Sequence, residues 1–223
     1  MTTRRQAKAA EIARSAIGPL SAQGVHNVSL SDLGASLGMT GAHLLYYFES
    51  KNELFMAALR IVEKDLHDHA QSTFTTMESA RERWEWLLEN GSPSGLDDSG
   101  LLMWLEAWAE AVHQEDVLRL VAELEHNWQS LLRETLAYAV ARGELPADLD
   151  IDPIAEGASA LLDGLTLRVV VGYRPVDHDA AIAIARRFLG PLLPWQPATA
   201  AGPATGPTTG PTAGPATDKD VVK

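Results

Sequence analysis

Two Glu-x-x-His pairs, Glu110 with His113 and Glu123 with His126, are the residues that most directly spell metal chemistry in this chain. Two such pairs in a four-helix bundle are how carboxylate-bridged di-iron enzymes hold their metal. On a helical wheel, however, both pairs fall opposite the neighbouring tryptophans and aliphatics, which points them to solvent. They also flank a chain turn, where a deep site is hard to build. A metal enzyme is therefore the alternative reading, and the main expectation is a protein that is not an enzyme and needs no cofactor. Other catalytic patterns fail on inspection. Asp148, Asp150 and Asp152 open like a calcium loop, but Pro153 occupies the turn-glycine position and Ser159 replaces the bidentate acid. "GSPSG" puts proline where a nucleophile elbow needs serine. With no cysteine there is no thiolate ligand, no thiol nucleophile and no disulfide framework.

A second chemistry, anion binding, is written between residues 38 and 54, "GMTGAHLLYYFESKNEL". Ser50-Lys51-Asn52-Glu53 has capping-box spacing and marks a helix start. A lysine at the first helical position opposes the helix dipole, so for stability alone it is a poor choice. It suits a site where free N–H groups, the dipole and an ammonium meet one phosphate. A lysine merely solvated there is the plain alternative.

The elements that must position these residues are helices. No strand-like alternation is convincing. Helices are expected over about 4–23, 30–37, 41–47, 51–76, 79–90, 99–113, 116–142, 153–171 and 178–190. Gly143 and Gly172 read as stops, Asp177 as a cap, and Asp152-Pro153 as a cap followed by proline in the first turn. Ser29-Leu30-Ser31-Asp32 is another capping box, and Leu30, Leu33 and Leu37 then share a face. Gly38 to Thr40 is a short turn, and Thr40 can cap the next helix. There Leu44 and Phe48 point inward, Ala42 and Tyr46 outward, with His43 and Leu45 beside them. Two short amphipathic helices joined by such a turn form a helix-turn-helix, whose second helix reads the major groove.

Charge follows the same division. The chain of 223 residues carries a net charge of −12, yet residues 1–51 sum to +2 and the remainder to −14. A basic module that meets an anion is joined to an acidic one that does not. No apolar run reaches the length of a membrane span, and the N-terminus lacks a signal-peptide core, so a cytoplasmic protein with no membrane partner is expected. After Trp195 the repeat "AGPATGPTTGPTAGPAT" has no large apolar side chain, and 196–223 reads as a disordered tail. The expected organisation is a DNA-binding module over 1–50, a helical module over 51–195 and the tail.

Residues 28 to 54, "VSLSDLGASLGMTGAHLLYYFESKNEL", resemble the DNA-binding signature of TetR/AcrR-family transcriptional regulators. The matching positions are Ser29, Asp32, Leu33, Gly38, Thr40, Leu44, Tyr47, Phe48, Ser50, Lys51 and Leu54. The resemblance implies an all-α fold and DNA contacts from Ser29, Thr40, Gly41, His43, Tyr46, Tyr47 and Lys51. It also implies a homodimer on a near-palindromic double-stranded DNA operator, and a small-molecule effector that releases a repressor. The chain departs from the signature twice. Leu45 stands where a phosphate-contacting tyrosine is usual, and Gly34 where a small alanine is usual, at up to about 1 kcal/mol of helix propensity.

In the acidic half, Trp84, Trp104, Trp108 and Trp128 are candidates to line a pocket for a flat apolar ligand, though tryptophans at helical spacing also build ordinary core. Leu161 and Leu165 continue a seam with Ala158, and with Leu124 of the preceding helix they fit half of a two-fold four-helix interface. An intrachain core would use the same residues. The ending "LLDGLTLRVVVG" resembles the penultimate helix of many family members, which favours the interface.

Overall fold

The protein is described by a computed structural model covering residues 3–197. All but the first two residues of the expected tail lie outside the described residues. Among those described, every regular element is helical: α1 (Thr3–Gln23), α2 (Leu30–Ser36), α3 (Gly41–Tyr47), α4 (Lys51–Phe74), α5 (Ala80–Asn90), α6 (Ser99–Ala111), α7 (Glu115–Ala141), α8 (Ile151–Val171), α9 (His178–Leu189) and a 3-10 turn at Gly190–Leu192. The all-α expectation holds, with each helix within a few residues of its expected span.

The caps explain most boundaries. Ser29 accepts from the Asp32 N–H at 3.1 Å, and Asp32 reaches back to the Ser29 N–H. Thr40 accepts from the His43 N–H at 3.1 Å, Ser50 from Glu53 at 3.1 Å and Asp177 from Ala180 at 2.9 Å. The box at Ser50 differs from the expected one in its return half, because the Glu53 carboxylate takes the N–H of Glu49. The start of α8 is also corrected. The cap position is Asp150, not Asp152, and Pro153 is the third helical residue. Asp152 instead binds Arg133, with Nε to Oδ1 at 3.1 Å.

Two apolar clusters are threaded by α4. Leu54, Phe55, Ala58 and Leu59 join α1 to α3, together with Met103 and Ala107 of α6 and Val117 and Leu120 of α7. Lower down, Leu66 and Ala70 join α5, the second half of α7, α8 and α9. Packing thus runs straight across the boundary expected after residue 50, because the helix that begins there is the spine of both clusters.

Gly34 is more than a weak helix residue. A Cβ there would lie 2.8 Å from Met39 O, Thr40 C and Gly41 N. The α2 backbone is pressed onto the turn and the first residue of α3, and alanine does not fit without a backbone shift. The departure from the family pattern is a packing choice, and it sets how closely the two short helices cross.

Candidate functional site

At one end of the molecule α3 presents an exposed face. Leu44 and Phe48 are buried beneath it, while Ala42, His43, Leu45 and Tyr46 are exposed, Tyr46 by 59%. Tyr47 packs edge-on to Tyr46 at 5.0 Å and tilts against His43 at 5.5 Å. From α1, the Arg5 guanidinium lies 4.8 Å from the centre of the Tyr46 ring and donates to the Tyr46 carbonyl. Ser29 and Thr40 cap the two short helices at the edge of this face. Gly41 is half-buried, and a Cβ on it would meet the Leu30 carbonyl at 3.2 Å, so it serves the α2–α3 crossing. Lys51 turns back from α4: its Nζ donates to Val28 O at 2.9 Å and reaches His26 O at 3.5 Å. In this state the ammonium spends two of its three donors on the turn between α1 and α2.

A second site lies in the acidic half. Trp104 and Trp108 of α6, with ring centres 5.9 Å apart, face Trp128 of α7 across a cavity of about 50 Å³. That exceeds several-fold the roughly 10–15 Å³ that one water needs. Gly91, at the end of α5, makes room for the Trp128 edge, since a Cβ would sit 2.7 Å from its Cη2. Of the four tryptophans expected at a pocket, three line it. Trp84 is buried in the lower cluster and takes no part.

The same cavity is lined by three carboxylates that sequence patterning did not single out: Glu63 of α4, Glu125 of α7 and Asp163 of α8. None of the three forms an ion pair among the described residues. Burial pushes Glu63 up to about 7, helped by the charge of Glu125. Burial likewise pushes Asp163 up to about 7, with Glu125 and Glu156 adding repulsion. Glu125 is raised by burial too, although the Trp108 indole N–H donates to it and opposes the shift. Carboxylates withdrawn from solvent with no cation beside them disfavour their charged form. A cation placed among them and against indole faces reverses that penalty.

The metal alternative loses its geometry. Glu110 does not face solvent as expected: it is 1% exposed, with Oε1 2.6 Å from His26 Nε2, and it accepts from Gln114. Glu123 pairs with Arg60 at 2.7 Å, while His113 and His126 are exposed. Among the described residues no group of three or more His, Cys, Asp or Glu side chains is placed to hold a metal ion. The residues expected at a dimer interface are mostly spent inside their own chain. Leu124, Ala158 and Leu165 are buried and only Leu161 is half-buried. On α8 and α9, Leu167, Val171 and Phe188 are large apolar residues left exposed, as is Leu192 just beyond. A seam of this period fits a core-facing stripe as well as an interface. No helix is long and apolar enough to cross a membrane among the described residues.

Residues 12–58 match the profile described as bacterial regulatory proteins, tetR family, and residues 80–194 match the C-terminal domain of BetI-type transcriptional repressors. The chain is 29% identical over 168 residues to the HTH-type transcriptional regulator BetI of Rhizobium meliloti, covering 75% of this chain and 80% of that one. It is 27% identical over 176 residues to BetI of Escherichia coli, covering 77% and 86%. Among solved structures, a transcriptional regulator from Saccharomonospora viridis in complex with choline superposes with a TM-score of 0.75 at 28% identity, over 83% of this chain and 96% of that one. A TetR-family regulator from Rhodococcus shares the fold with a TM-score of 0.72 at 21% identity, over 86% and 100%. Capped helix-turn-helix, helical C-terminal domain and both matched profiles agree: the chain belongs to the TetR family of bacterial transcriptional regulators, as a DNA-binding repressor with a BetI-type C-terminal domain.

Proposed function

We propose that this repressor senses choline, or a quaternary ammonium compound of similar size, and leaves its operator when the cation enters the tryptophan cage. One observation carries the reading: three indoles and three carboxylates surround one cavity, and no cationic side chain lines it. A trimethylammonium group donates no strong hydrogen bonds, so aromatic faces and nearby negative charge are what recognise it. The choline bound to the Saccharomonospora viridis regulator supports the same class.

On the DNA side, Thr40, His43, Tyr46 and Tyr47 face the major groove of a near-palindromic operator, flanked by Ser29 and Gly41. Lys51 offers its remaining proton to a phosphate. Two protomers associate through the uncovered apolar faces of α8 and α9, forming a four-helix interface that spaces the two recognition helices by about one DNA turn, roughly 34–36 Å. The protein works in the cytoplasm, where that operator is.

The test is direct binding. Intrinsic tryptophan fluorescence should change saturably with choline. The neutral carbon isostere, with a tert-butyl group in place of trimethylammonium, should bind about tenfold more weakly or not at all, in keeping with about 1–2 kcal/mol for a desolvated cation on indole faces. Equal affinity for the two compounds would show that charge is not read and would overturn the proposal.

A further inference from the structure

Glu63 lines two spaces at once. On one side it is a wall of the tryptophan cage, and on the other it lines a groove of about 510 Å³ between α4 and α7. The residue is only 6% exposed and has no ion-pair partner among the described residues. The outer groove is walled by exposed side chains. Arg60 of α4 bridges it to Glu123 of α7 at 2.7 Å, and Lys64 pairs with Asp68 along α4. His67 is engaged with Gln71 at 2.9 Å. Both cations are thus matched, and the carboxylates of Glu134 and Glu63 remain to attract a positive ligand. A cleft lined by one sign of uncompensated charge raises the local concentration of the opposite ion.

On the effector reading above, we infer that the α4–α7 groove is the route by which the cation enters the cage, with Glu63 as the carboxylate handed from groove to cage and the Arg60–Glu123 pair as an outer latch. The two spaces share Glu63 as a wall, and one exposed ion pair, Arg60–Glu123, spans the outer one. Exposed pairs of that kind are worth at most about 1 kcal/mol. The two helices that form the route are also the ones that carry Glu63 and Glu125, so entry and capture use neighbouring groups.

The chain has no cysteine, so single engineered thiols can be labelled cleanly. Asn127 is exposed on the groove, and Leu96 is exposed on the loop between α5 and α6, on neither the groove nor the cage. Asn127→Cys and Leu96→Cys would each be compared before and after reaction with a bulky neutral maleimide, using stopped-flow tryptophan fluorescence with choline. Labelling Asn127→Cys should slow association and dissociation together by about tenfold or more with Kd little altered, the signature of a blocked route rather than a damaged site. Labelling Leu96→Cys should leave both rates within about twofold. Glu123→Gln, which opens the latch, should speed both. Unaltered rates after labelling at Asn127, or slowing only after labelling at Leu96, would overturn the route while leaving the effector reading intact. Failure of choline to change the fluorescence of the unmodified protein would remove both.

Discussion

His26 Nε2 lies 2.6 Å from Oε1 of Glu110, joining the turn between α1 and α2 to a buried side chain of α6. One turn earlier on α6, Glu106 accepts from the Val25 N–H at 3.0 Å, so two successive glutamates hold the same turn. The opposite side of α6 carries Trp104 and Trp108 into the cage. Gln114 extends the contact, donating to Glu110 and accepting from Asn52 near the start of α4. The helix that walls the cage with its indoles thus grips the DNA-binding module with its far side.

This clasp leads to a prediction about coupling. Glu110→Gln and Glu106→Gln should each bind choline and operator, but the factor by which choline weakens operator binding should shrink. Allosteric pairs are typically coupled by about 1–3 kcal/mol, a factor of 5 to 150. Gel-shift titrations with and without choline measure that factor directly. A factor equal to that of the unaltered protein in both variants would show that the clasp does not transmit the signal.

The cage predicts an inverse dependence of unliganded stability on pH. Glu63 has an ordinary value of 4.5 and Asp163 one of 3.8, and both rise to about 7 in the fold. Between those limits the folded chain holds protons that the unfolded chain has lost, so stability falls as pH rises through this window. A bound cation favours the ionised carboxylates, so choline affinity should rise over the same range. Thermal melts from pH 5 to 8, with and without choline, should converge at low pH and separate above about 7. Glu63→Gln with Asp163→Asn should flatten the unliganded trend. A trend of equal slope in that double variant would mean these two groups are not its source.

Gly34→Ala should destabilise the DNA-binding end. The added methyl meets backbone atoms at 2.8 Å, which only a shift of α2 against α3 can relieve. Overpacking of this kind costs about 1–3 kcal/mol, against a gain in helix propensity of at most about 1 kcal/mol. Chemical denaturation gives the sign: a more stable variant would mean that the crossing is looser than described.

Lys51→Ala should show two effects. Loss of its bond to the Val28 carbonyl loosens the turn, at a cost of about 1.5–3 kcal/mol for a charged donor, and less as half-buried side chains are better solvated. Loss of a phosphate contact makes the log K against log salt slope shallower by about 0.9 per protomer. An unchanged slope would leave Lys51 a purely internal tie. By contrast, Tyr46→Ala and Thr40→Ala should weaken operator binding, with Tyr46→Ala leaving the melt intact.

What the sequence made legible is whatever is local. Ser29, Thr40, Ser50 and Asp177 announce their helix starts by spacing alone, and each makes its cap bond. Gly38, Gly143 and Gly172 adopt the positive φ their positions required. The cage was only partly legible because its carboxylates come from three helices far apart in sequence, and each alone looks like a charge on an amphipathic surface. Glu63 did carry a signal, since it falls on the same stripe as Leu59 and Leu66, where a carboxylate costs free energy unless something binds it. Glu110 was misplaced for a related reason. Its partner, His26, lies in a turn whose position depends on how α1 packs on α6, which periodicity does not report. Ala158 and Leu165 satisfy the periodicity of a core stripe as well as that of an interface, and both pack in the core of their own chain.

The most direct measurement is fluorescence anisotropy of labelled operator DNA bound to the full chain, titrated in parallel with choline and with its neutral tert-butyl isostere. Choline should release the DNA over the same concentration range in which it changes tryptophan fluorescence, and the isostere should do so only at about tenfold higher concentration or not at all. DNA that stays bound while choline saturates the cage, or that both compounds release alike, would contradict it.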